Sequence, residues 1–377
     1  MKKLLLAMML FAAGGAFAQV SVFGNLDLTA YHSRQNGKTV SSIASNANTV
    51  SNWGIKGTED LGQGLKANFT LISEISAMTG QTGSASTGIS NTNSNKPELF
   101  NRGAWLGLSS NYGEFRAGRQ SDAWYESTLG VNNTGGASFG FNNVTAAMGN
   151  VSSLANITGV TPVGLSNLGT STQNYTNSGT AVAFYGGVSY TSPKIFNTTV
   201  KLQTGQGKPS YADGLDIGGG SAYSAKYDNG TISAVVASTW KNDTQGVKAF
   251  TNTLVGGNYK TRGFTFTAAQ NKTTFGGLAT ANHDMVAKAV GVGYDVSSRT
   301  NVAVGYTVLS DSDNAKNKFK QTGVTARYKL SKSTTLYGGV AHGVNEGASK
   351  MGVVFAQAAG DAGANVNAAI LGLRYQF

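Results

Sequence analysis

WGIKGTEDLGQGLKANFTL, residues 53–71, carries the pattern that decides the fold. Trp53, Ile55 and Gly57 fall on one side of an alternating segment, Glu59 to Gly64 form a turn, and Leu65, Ala67, Phe69 and Leu71 resume the alternation. Lys66, Asn68 and Thr70 lie opposite that second row. A period of two is the mark of a β-strand, and two such runs across a short Gly-rich turn are a hairpin.

The same unit repeats along the chain. Before it, Val20, Val22, Leu26 and Leu28 share one face, with Ser21, Asn25, Asp27 and Thr29 on the other. After it, six more tight turns fall near Ser110–Gly113, Ser192–Asn197, Asp228–Gly230, Lys260–Gly263, Asp295–Arg299 and Ser331–Ser333, each flanked by strands. Ile232, Ala234, Val236, Ser238 and Trp240 form one clear row; Val302, Val304, Tyr306 and Val308 form another, and Val324, Ala326, Tyr328 and Leu330 a third. With the first and last strands the count is sixteen, joined by seven short turns and eight longer connections. A soluble β-sandwich or propeller also alternates. The regular asymmetry of short turns and long loops, and the Tyr or Trp at strand ends (Trp240, Tyr259, Tyr294, Tyr328, Tyr375), favour a closed membrane barrel.

Composition agrees. Lys2 and Lys3, an apolar run from Leu4 to Ala13 and Ala16-Phe17-Ala18 predict a cleaved secretory signal over residues 1–18. Removing 18 of 377 residues leaves 359, or about 22 per strand and connection in a sixteen-stranded barrel. Only 12% of residues are charged, Gly reaches 51 and Pro 4, unlike an average globular domain. No later apolar run is long enough for a spanning helix, so an exported chain of this kind enters a membrane by strands. There is no cysteine, so disulfides and thiolate metal ligands are excluded. Loss of the two leader lysines lowers the net charge from +11 to +9, which favours anionic solutes and lipopolysaccharide phosphates.

Three blocks carry a resemblance: Ser51 to Ala67, Asn101-Arg102-Gly103-Ala104-Trp105-Leu106-Gly107-Leu108, and Gly113-Glu114-Phe115-Arg116-Ala117-Gly118-Arg119-Gln120. Together with the terminal Leu373-Arg374-Tyr375-Gln376-Phe377, whose aromatic end is similar to a barrel-assembly signal, they resemble the general porins of β-proteobacteria, neisserial ones included. The resemblance spans residues 19–377. It implies an all-β fold: a sixteen-stranded antiparallel transmembrane β-barrel with short periplasmic turns, long extracellular loops and a third loop folded into the lumen. It also implies a homotrimer in the outer membrane that passes small hydrophilic solutes and ions by passive diffusion, needs no cofactor and catalyses nothing.

The third loop is then residues 120–179, the longest connection, and its acids Asp122 and Glu126 are expected to face a basic wall. Strand parity turns Lys66, Arg116, Lys201, Lys226, Arg327 and Arg374 away from the apolar rows and towards water, since lipid penalises such charges by about 2–4 kcal/mol at the midplane. Any of them can face the lumen at any height without lining the narrowest point. Parity turns Arg119 outwards, whereas in the resembling porins an arginine at this position lines the eyelet. Those proteins also carry arginine second in the Ser-x-Trp-Gly block, where this chain has Asn52.

Other motifs are weak. Gly136-Ala137-Ser138-Phe139-Gly140 matches Gly-x-Ser-x-Gly, without the strand before it and helix after it that a nucleophile elbow requires. His32, His283 and His342 lack metal-ligand spacing and fall near the outer loops. The basic residues do not interleave with aromatic groups as a nucleic-acid platform does. Two rival readings are a substrate-specific channel and a barrel adhesin whose loops bind other proteins.

Overall fold

The computed structural model describes residues 19–45, 48–82, 99–131, 183–205, 208–209, 216–217, 219–242, 248–276, 283–353 and 361–377. The expected signal segment, the Gly136–Gly140 motif and residues 132–179 of the long loop lie outside them.

The first eight strands are β1 (Gln19–Gln35), β2 (Lys38–Ser45), β3 (Asn52–Gly62), β4 (Leu65–Glu74), β5 (Gly103–Ser110), β6 (Gly113–Ser121), β7 (Ala183–Thr191) and β8 (Thr198–Gly205). A helix, α1 (Ala123–Gly130), follows β6. A small separate ladder of β9 (Lys208–Pro209) and β10 (Asp216–Ile217) comes next. The chain then runs through β11 (Gly220–Asp228), β12 (Ile232–Asn242), β13 (Lys248–Thr261), β14 (Phe264–Phe275) and β15 (His283–Asp295). It ends with β16 (Thr300–Asp311), β17 (Lys318–Lys329), β18 (Thr334–Glu346) and β19 (Val366–Gln376).

Each large strand pairs antiparallel with its neighbours, and β1 pairs with β19, which closes the sheet into a barrel. At the seam Gly24 and Phe377 exchange backbone hydrogen bonds, both 3.0 Å. Sixteen positions result, because β2 and β3 share one of them: Leu28–Gln35 of β1 pairs with β2, and Gln19–Asn25 pairs with β3. All seven expected tight turns are present at one end. The first of the longer connections is itself a hairpin, turning at Asn36-Gly37 with φ of 47° and 75°. Asn-Gly accepts that left-handed pair at little cost; Arg262-Gly263 adopts the same pair between β13 and β14.

Side-chain direction follows the expected parity. Leu106, Val255, Val290, Val324, Val340 and Leu371 are exposed and form an apolar outer belt, with Tyr259, Phe264, Phe266, Tyr294, Tyr328 and Tyr375 below it at the turn end. A surface this apolar is stable against lipid hydrocarbon, and the aromatic ring marks its interface. Asn25, Asp27 and Thr29 of β1 face inwards and are buried. The inner wall is more apolar than alternation alone suggests: Val235, Ala237, Leu254, Met285 and Leu309 also point inwards, and Trp124 and Val131 from the α1 segment join them in one buried cluster.

Candidate functional site

The segment after β6 crosses into the lumen and is seated there by polar contacts at both ends. Gly118 has a φ of 121°, and the β6–β7 register shifts between Gly118 and Gln120, a bulge that breaks strand alternation. Gln120 then points inwards, its amide donating to Gly187 O (3.0 Å) and accepting from the Ser189 hydroxyl (2.6 Å). Asp122 caps the helix, its carboxylate accepting from Tyr125 N at 2.7 Å, which satisfies one of the orphan donors of the first turn.

The other Asp122 oxygen lies 3.4 Å from Lys241 Nζ, and both side chains are sealed from solvent, at 1% and 2% exposure. Burial pushes the Asp122 carboxyl above the ordinary carboxylate range, and the Lys241 ammonium and the Tyr125 amide pull it back. Trp124 Nε1 donates to Asn271 Oδ1 on β14 at 2.8 Å. Ala123 N donates to Gln203 Oε1 on β8 at 3.0 Å, and Asn258 of β13 donates to Gly130 O at 2.7 Å. Glu126 accepts from Lys201 Nζ at 2.8 Å. Across the lumen, Tyr125 faces Arg102, which lies 3.6 Å from the buried Glu74. The helix is thus held against β8, β11, β12 and β13 and reaches towards the ends of β4 and β5.

The structure divides the residues expected from sequence into three groups. Asp122, Glu126 and Lys201 meet at α1. Arg119 joins them: it is 9% exposed, and its guanidinium acts on Lys241, so the bulge rather than simple parity sets its direction. Arg116 sits lower on β6, 2.6 Å from Glu114 and 4.2 Å over the Trp105 ring. Lys66, next to the Gln63-Gly64 turn, and Lys226, 3.5 Å from Asp228, lie at the turn end. Arg327 and Arg374 also lie near the turns, on β17 and β19, strands other than those packed on α1.

Two features escaped the sequence reading. Lys241 is the buried partner of Asp122; its parity, opposite to Trp240, is the signal that points it inwards. On β1, Asp27 is held by the Tyr337 hydroxyl (3.0 Å to each oxygen) and by Asn48 N (3.2 Å), and Arg374 stands beside it in register. Of the histidines, His32 contacts Ser41 and His342 contacts Asn367, both exposed. Among the described residues no cluster of three or more His, Cys, Asp or Glu is placed to hold a metal. The arrangement presents fixed charges of both signs to an aqueous lumen.

Comparison with known proteins agrees with this geometry. A family model described as Gram-negative porin matches residues 5–348. The outer membrane porin protein 32 of Delftia acidovorans is 36% identical over 124 residues, a match that spans 32% of this chain and 32% of that protein. The anion-selective porin from Comamonas acidovorans has a similar structure, with a TM-score of 0.72, 22% identity and coverage of 96% of this chain and 100% of that one. The trimer form of OmpT from Vibrio cholerae superposes with a TM-score of 0.62 at 15% identity, covering 96% and 99%.

Proposed function

The chain belongs to the Gram-negative porin family, and we propose that it forms a water-filled, mildly anion-preferring channel for passive diffusion of small hydrophilic solutes across the outer membrane. A sixteen-stranded barrel has a lumen wide enough for water, and a loop held inside it reduces the bore. The observation that carries the reading is the seating of α1 inside the barrel by Asp122–Lys241 and Glu126–Lys201. Those pairs consume two acids and two lysines. Around α1 the cations Arg116, Arg119, Lys201 and Lys241 outnumber the acids Glu114, Asp122 and Glu126 by one, with Arg116 held by Glu114. In a narrow aqueous path through a low-dielectric wall, fixed charge focuses potential and raises the local concentration of the opposite ion. No step requires a conformational cycle.

By analogy with the OmpT relative, whose trimer form is known, three barrels associate. The apolar belt meets outer-membrane lipid, and basic residues at the rim meet lipopolysaccharide phosphates. Purified protein in a planar bilayer should give stepwise, ohmic conductance, and native gels run without boiling should show a trimer band. A protein that inserts fully and passes no current contradicts the channel.

A further inference from the structure

A second basic surface lies apart from α1, on the inner wall at the turn end. Antiparallel register builds it in two rows. Asn301 of β16, Arg327 of β17 and Tyr337 of β18 are consecutive partners in one row; Lys329, Thr335 and Arg374 of β17, β18 and β19 form the next. With neighbouring strands about 4.8 Å apart, Lys329 and Arg374 stand about 10 Å from each other, with Arg327 in the adjoining row. Arg299 and Lys332, from the turns below, complete the lining of a recess of about 640 Å³. Asp295, the one acid among the described residues that line it, accepts from Asn301 Nδ2 at 2.8 Å, while Asn301 Oδ1 accepts from Arg327 at 2.9 Å. Asn301 therefore bridges the acid and the arginine.

The arginines are braced from behind. Asp27, facing Arg374 in register, is fixed by hydrogen bonds from Tyr337 and Asn48 and keeps its charge beside the arginine. Tyr337 reaches it by lying over Gly372, where a Cβ would come within 2.2 Å of the ring. Arg374 Nε is buried with no hydrogen-bond partner among the described residues. Five cations face two acids, Asp295 in the lining and Asp27 behind Arg374, in a water-accessible hollow, and the remaining excess of positive charge is a cost in mutual repulsion that an oxyanion relieves. Guanidinium forks suit carboxylate and phosphate oxygens, and their spacing across three strands suits a ligand with more than one such group.

We infer that this recess is a binding station for small multivalent oxyanions such as di- and tricarboxylates, held by Arg327, Arg374 and Lys329 at the turn-end mouth of the pore. The inference rests on the channel reading above. A solute that has passed α1 is retained there briefly, which biases the lumen towards multivalent organic anions over chloride.

Single-channel recording in a planar bilayer at low salt tests it, with citrate as the probe and acetate as the monovalent control. Citrate should reduce chloride current in the wild type at concentrations where acetate does not. Arg327→Gln and, separately, Lys329→Gln should each raise the half-blocking citrate concentration by about tenfold, the scale of one lost charge-assisted hydrogen bond. Lys194→Gln, in the exposed β7–β8 turn, should leave it within about twofold. Arg374→Lys keeps the charge against Asp27 and should fold, losing fork geometry and part of the block. Equal citrate block in wild type, Arg327→Gln and Lys329→Gln, or equal block by acetate, overturns the station while the channel stands. A wild-type protein that inserts without conducting overturns the channel reading instead.

Discussion

Replacing Lys241 by Met tests how the loop segment is held. The methionine fills the space of the lysine stem but leaves the Asp122 carboxylate facing an apolar surface, with its cap to Tyr125 N intact. Breaking a buried pair by removing one partner costs about 3–5 kcal/mol, because the remaining charge stays unsolvated. The lower figure corresponds to a shift of about 100-fold towards release of α1 from the wall. Glu126 is 43% exposed, so Lys201→Gln removes a pair that solvent already screens, worth about 0.2–1 kcal/mol and under about sixfold. Hydrogen exchange of the amides of residues 122–131 in detergent-folded protein reads both. Exchange there should accelerate far more in Lys241→Met than in Lys201→Gln, while the barrel strands stay protected. Equal acceleration in the two variants, or none in Lys241→Met, refutes the argument that burial makes Asp122–Lys241 the dominant anchor.

Further expectations follow from particular residues. Gly372→Ala should displace Tyr337 from Asp27 and cost about 1–3 kcal/mol in urea unfolding, with Tyr337→Phe alone costing less than the combined strain and lost contact; an unchanged midpoint for Gly372→Ala contradicts the close approach. Val255→Lys, on the lipid face near the middle of β13, should lower folding stability in bilayers by about 2–4 kcal/mol; a neutral result places that face elsewhere than in lipid.

The barrel was legible because lipid outside and water inside impose a period of two on every strand. Leu65, Ala67 and Phe69 against Lys66, Asn68 and Thr70 show this within one short segment. Turn chemistry at Gln63-Gly64 and Arg262-Gly263 fixed the register between partners. The site was harder to read for three physical reasons. A bulge cancels alternation locally, so parity turned Arg119 outwards where the chain turns it in. Inner-wall residues such as Val235, Ala237 and Leu254 are apolar because Trp124 and Val131 pack with them, which blurs the contrast between faces from β12 onwards. Contacts such as Asp122–Lys241 and Asp27–Tyr337 join residues far apart in sequence, and no local pattern announces them. The wall cations Arg327 and Arg374 were found by parity, yet parity gives a face and not a height. Their place beside the turns follows from the ladder.

An open pore whose fixed positive charge outweighs its acids shows itself in the reversal potential of single channels in a potassium chloride gradient. The expected potential has the sign set by chloride and shrinks as salt rises, because the Debye length falls below about 10 Å above 0.1 M. Arg119→Ala should reduce it more than Lys350→Ala, a change in the connection between β18 and β19. A potential of the sign set by potassium in the native channel, or equal effects from the two substitutions, contradicts it.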